Sequence, residues 1–78
     1  HAKDQYRPFT WEDRSEIMAI DWVMYKDIPG IITRILEITN HPGIVIARVN
    51  SMGNRLMTLE EAFRKLETID GKPFGKKI

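Results

Sequence analysis

The chain has two imidazoles, His1 and His41, too far apart in sequence to form a local ligand pair. Neither HExxH nor His-x-His occurs. His41, beside Pro42, reads as a turn residue or as a phosphate or base contact at a helix start. Glu12 with Glu16, and Glu60 with Glu61, bring carboxylates close in sequence. Acid–base work needs a cleft that drives two such pKa values apart, and nothing around them implies one. They read as solvated helix ends. Ser15 and Ser51 have no nucleophile context, and the five glycines form neither GxGxxG nor GxxxxGK. With no cysteine, disulfides and thiolate metal sites are excluded. The expectation is a domain that is not an enzyme, holds no cofactor and acts by binding.

The residues best suited to binding lie between 44 and 56. The run Ile44-Val45-Ile46-Ala47-Arg48-Val49 has strand composition. Wound on a helix, the same segment places Val45, Val49, Met52 and Leu56 in one stripe. Ala47, Arg48, Ser51, Asn54 and Arg55 then gather on the other side, a small, polar, cationic face without an acid. Arginine reads guanine bidentately, asparagine reads adenine, and serine contacts phosphate or base. The helical reading therefore predicts a DNA-binding face of His41, Arg48, Ser51, Asn54 and Arg55, with Arg7 contacting the backbone from an N-terminal arm.

Those side chains need a scaffold. Thr10 reads as a helix N-cap, with Glu12 and Asp13 in the positive first turn. Trp11, Met18, Trp22 and Tyr25 follow at helical spacing, although Met18-Ile20-Trp22-Met24 also alternates as a strand would. Pro29 suits a first helical turn, and Ile31, Ile32, Ile35, Leu36 and Ile38 fall on one helical face. Thr58 with Glu61 forms a capping-box pattern before a last short helix. The predicted helices are 10–26, 29–39, 42–55 and 58–69. The predicted core is Trp11, Met18, Trp22, Ile31, Ile35, Ile38, Val45, Val49 and Met52. Residues 1–9 read as an irregular arm, 10–70 as a single helical domain and 71–78 as a basic tail. Strand and helix remain open alternatives for 16–26 and 44–51.

Seventy-eight residues make one domain at most. A chain this short buries only about 60–65% of its unfolded surface. The 42% hydrophobic and 29% charged content is ordinary for a globular protein. The net charge of +1 is low for a nucleic-acid binder, and Lys72, Lys76 and Lys77 concentrate positive charge at the C-terminal end. The longest apolar stretch, Ile17–Tyr25, is broken by Asp21 and is far short of the ~20 residues that span a bilayer. No signal peptide is visible in the opening His1-Ala2-Lys3-Asp4, so the expected place is cytoplasmic or nucleoid-associated.

Thr10-Trp11-Glu12-Asp13-Arg14-Ser15-Glu16-Ile17-Met18, with Trp22 beyond, resembles the first helix of Myb/SANT-like and GcrA-type domains. Val45-Ile46-Ala47-Arg48-Val49-Asn50-Ser51-Met52-Gly53 resembles their third helix. Together the two stretches cover about a third of the chain. The resemblance implies an all-α, three-to-four-helix helix-turn-helix bundle. It also implies a DNA-binding domain of a small transcriptional or phage-type regulator, with helix 42–55 in the major groove of double-stranded DNA. A second resemblance competes. Asp27-x-Pro29-Gly30-Ile31, a helix, and then Gly43-Ile44-Val45-Ile46 look like the β-α-β opening of ACT domains, which implies an α+β ligand-binding regulatory module with Asp27, Gly30 and Gly43 at an effector site. A protein–protein adaptor is the third expectation. Because apolar residues surround the first predicted helix, a homo-oligomer or protein partner is expected on Ile17, Ile20 and Met24.

Overall fold

In the computed structural model, which describes residues 2–25, 30, 32–49 and 53–78, strand accounts for 46% of the described residues and helix for 27%. A short 3-10 turn, Ala2–Gln5, leads into β1 (Tyr6–Pro8). Thr10 does open a helical element. The Asp13 carboxylate accepts from the Thr10 backbone N–H at 3.0 Å and from its hydroxyl at 3.1 Å. The turn Trp11–Asp13 then runs into α1 (Arg14–Met18), which stops at Ala19. Beyond it the chain extends as β2 (Trp22–Tyr25), so the helix expected over 10–26 ends after two short turns.

The predicted helix 29–39 is a strand, β3 (Ile32–Ile38), and the predicted recognition helix 42–55 is a hairpin of β4 (Ile44–Val49) and β5 (Gly53–Thr58). β-Branched residues are dense in both segments and fit a pleated surface better than a helical turn. Gly43 and Gly53, which open β4 and β5, have φ of 88° and 78°, a region that Cβ-bearing residues avoid. The Thr58–Glu61 box holds: Glu61 donates its backbone N–H to the Thr58 hydroxyl at 3.0 Å, and Thr58 donates its N–H to the Glu61 carboxylate at 3.2 Å. It opens α2 (Leu59–Lys65), which gives way at Leu66 to β6 (Leu66–Thr68).

These strands form an antiparallel sheet in the order β5-β4-β3-β2-β6, with a bulge in β3 between Ile35 and Glu37. The chain ends pair separately. β1 lies antiparallel to β7 (Gly75–Lys77), matching Tyr6 with Lys77 and Pro8 with Gly75. The irregular arm and solvated tail expected at 1–9 and 71–78 therefore contain a two-stranded ribbon. Pro73 and Phe74, just before β7, are buried.

One face of the five-stranded sheet makes the core. Val23, Tyr25, Ile35, Val45, Ala47, Met57 and Leu66 meet Ile17 of α1, Leu59 and Ala62 of α2, and Phe9 and Phe74 from the chain ends. The Phe9 and Phe74 rings lie edge to face, 5.2 Å between centroids. Of the predicted core, Ile35 and Val45 are buried. Met18 and Trp22 instead face solvent, at 66% and 45% exposure, and Trp11 is half-buried. Ile38 and Val49 lie within β3 and β4, and Ile31 and Met52 lie outside the described residues.

This architecture overturns both resemblances. A helix-turn-helix needs a second and a third helix where β3, β4 and β5 stand. The β-α-β opening needs a helix between two parallel strands, but the segment after Gly30 is itself a strand, antiparallel to β2 and β4. The expectations of DNA binding and transcription regulation, which rested on the helical reading, lose their support with it.

Candidate interaction surface

The molecule measures 33 × 31 × 18 Å, a slab one sheet and one helical layer thick. Side chains alternate across a sheet, so packing one face against the helices leaves the other in water. That outer face carries Trp22 and Met24 from β2, Ile32 and Arg34 from β3, Ile46 and Arg48 from β4, and Asn54 and Leu56 from β5.

The register turns these into rows. Trp22 stands opposite Arg34, Arg34 opposite Arg48, and Arg48 opposite Asn54, so one line crosses four strands. Directly opposed residues in antiparallel strands have Cα atoms about 4.5–5.5 Å apart. Like charges in that position repel. Among the described residues, neither Arg34 nor Arg48 has an acidic partner. Glu67 of β6 shares the face, but it lies in the next row, opposite Met24, with Ile32 beyond. Ile46 faces Leu56 on the other side of the arginines. Glu37 of β3 takes the register position opposite Ile46, and Trp22, Ile32 and Leu56, at 45%, 37% and 67% exposure, border the two arginines with apolar surface.

The predicted site residues separate. Arg48 and Asn54 are cross-strand neighbours on this face. Arg55 pairs with buried Ala47, so it points to the core side and is half-buried. His41 is exposed in the β3–β4 turn, at the opposite end of the strands from Arg48. Arg7 is engaged elsewhere: it donates to the Pro8 carbonyl at 3.0 Å and to the Asp13 carboxylate at 3.1 Å. Ser51 lies outside the described residues. The expected apolar partner face also divides. Ile17 is fully buried, Ile20 packs against the core, and Met24 lies half-buried on the outer sheet face.

Sequence reasoning missed Trp22 and Arg34. The signal was parity. In Trp22-Val23-Met24-Tyr25 and Ile32-Thr33-Arg34-Ile35, strand alternation puts the indole and the guanidinium on the same side once the register of β2 and β3 is known.

Two shallow clefts flank the start of α2. One, about 530 Å³, is lined by Pro42, Gly43, Ile44, Thr58, Leu59 and Glu60. The other, about 160 Å³, is lined by Ile44, Leu56, Met57, Thr58 and Glu61. Glu61 is held below its ordinary value chiefly by the backbone N–H of Thr58, and Asp13, in the first cap, by that of Thr10. Both carboxylates are therefore anionic caps. Among the described residues no three His, Cys, Asp or Glu side chains gather as a metal site, and no helix is long and apolar enough to cross a membrane.

No family model, no curated protein and no solved structure matches the chain.

Proposed function

We propose that this domain is a non-catalytic protein-binding module, and that the outer face of its sheet receives an acidic, apolar segment of another protein. The observation that carries the reading is the opposed pair Arg34–Arg48, uncompensated within the described residues and bordered by exposed Trp22, Ile32 and Leu56. Interface cores are enriched in tryptophan, methionine and arginine, and binding energy concentrates on tryptophan and arginine. A partner carboxylate between the two guanidinium groups would relieve their repulsion and make charge-assisted hydrogen bonds to both. The overall charge of +1 favours a local carboxylate over a long phosphate backbone.

An NMR titration with a soluble peptide of alternating glutamate and leucine tests this. Amide shifts should map to residues 22–24, 32–34, 46–48 and 54–56, and the Trp22 indole N–H should move with them. Replacing both arginines, Arg34→Ala with Arg48→Ala, should weaken binding at least tenfold, about 1.4 kcal/mol. Saturable shifts that map to the helical side overturn the reading. So does a response to mixed-sequence nucleic acid with none to the peptide.

A further inference from the structure

The five-stranded sheet has two edges, and the fold treats them differently. β6 has three residues, and Glu67 on its outer side makes an isolated bridge to Pro73, whose ring nitrogen carries no hydrogen to offer a further strand. β5 has six residues and is hydrogen-bonded to β4 along its whole length without a bulge. Among the described residues no strand lies on its other side, where the N–H of Thr58 is taken by the Glu61 carboxylate and the edge from Gly53 to Met57 faces no partner strand. Proteins usually blunt such an edge with proline, an outward charge or a bulge. Gly53-Asn54-Arg55-Leu56-Met57-Thr58 has no proline and no bulge, and its one charge, Arg55, lies on the core side, so its solvent face shows the uncharged Asn54, Leu56 and Thr58.

We propose that a second copy of this chain pairs antiparallel along β5, giving one continuous sheet through a two-fold axis at Leu56. The sequence of β5 selects both the occupant and the register. A two-fold axis perpendicular to the sheet keeps core side with core side, and directly opposed residues must then share a face. Centring on Arg55 sets two guanidinium groups against each other, which is unfavourable. Centring on Leu56 sets Leu56 against its own copy, Asn54 against Thr58, and Arg55 against Met57. Every pair is then apolar, neutral-polar or singly charged. The side chain that is 67% exposed in the single chain becomes the central contact. The cleft lined by Ile44, Leu56, Met57, Thr58 and Glu61 lies beside Thr58, the position that faces Asn54 of the second copy. This surface is separate from the helical face on which the sequence suggested association.

The chain has no cysteine, so single cysteines report proximity directly. In the proposed register Leu56→Cys places two sulfur-bearing residues directly opposite, within the Cα separation that a disulfide accepts. Asn54→Cys places them four positions apart along the strands, beyond it. Under mild oxidation the Leu56→Cys protein should form the covalent dimer at least tenfold faster than the Asn54→Cys protein. By sedimentation the unmodified protein should be a dimer, and Leu56→Lys a monomer with an unchanged circular dichroism spectrum. Equal cross-linking at the two positions overturns the proposal, as does an unmodified protein that stays monomeric at millimolar concentration. If Leu56→Lys does not fold, the ratio of the two cross-linking rates decides.

Discussion

Thr33 is fully buried between Val23 and Val49 in the sheet, and its hydroxyl has no hydrogen-bond partner among the described residues. An orphaned buried hydroxyl costs about 1–3 kcal/mol, whereas an apolar group of the same shape costs nothing comparable. Thr33→Val should therefore stabilise the protein by about 1 kcal/mol, read as a higher urea midpoint with an unchanged slope. The two cap carboxylates act in the opposite sense. Backbone N–H groups of Thr10 and Thr58 lower the pKa values of Asp13 and Glu61 in the folded chain. A lowered native pKa stabilises the fold above the unfolded value, and that stabilisation is lost as protons bind. Stability should hold above the ordinary carboxylate range, about pH 4–5, and fall as pH drops through the native values of the two groups. In Asp13→Asn with Glu61→Gln, thermal melts across that window should show a flatter decline. Thr58→Ala removes the hydroxyl that accepts from Glu61 and should cost about 1 kcal/mol at neutral pH.

At the scale of elements, register decides what a side chain does. Arg48 and Arg55 look alike in sequence, yet β4–β5 pairing sends one outward beside Asn54 and the other to the core side beside Ala47. Arg48→Glu would place an acid opposite Arg34. It should raise the stability of the free domain by about 0.2–1 kcal/mol while abolishing binding of the acidic peptide. A melt and a titration on the same sample check both halves, and a loss in both would mean that Arg48 is structural. The same ambiguity explains which parts of the fold were legible. Both caps were, because Thr10–Asp13 and Thr58–Glu61 are local hydrogen-bonding patterns that do not depend on tertiary context. β4 was not. Val45 and Val49 are four residues apart, a spacing that satisfies a helix of period 3.6 and a strand of period 2 alike. The β-branched run Ile44-Val45-Ile46 was the better witness. Ile35 is in the core as its pattern predicted, and its helical spacing of three to Ile38 falls within a strand because β3 bulges between Ile35 and Glu37. Half of the outer row was visible, as Arg48 and Asn54. Trp22 and Arg34 join it only through pairing between β2, β3 and β4, which no local pattern encodes.

Across the whole molecule, the ribbon of β1 and β7 closes the core. Phe74 is fully buried against Phe9, so Phe74→Ala should cost about 3–5 kcal/mol, enough to unfold a domain this small at moderate temperature. Gly75 is equally constrained, by space. A Cβ there would collide with the Arg7 carbonyl and the ring of Phe63. Gly75→Ala should destabilise by about 1–3 kcal/mol in urea unfolding. The ribbon also has a kinetic meaning. Tyr6 meets Lys77, and Ile78 donates its N–H to the Gln5 carbonyl at 2.8 Å, so this pairing spans almost the whole chain. The β3–β4 and β4–β5 hairpins join neighbours and close cheap loops, whereas joining the ends carries the largest loop entropy in the fold. The hairpins should form in the transition state and the ends should zip afterwards. In a stopped-flow chevron, Gly75→Ala should then steepen escape from the native state and leave the folding limb nearly unmoved. A folding rate slowed in proportion to the lost stability would instead make the meeting of the two ends the rate-limiting event.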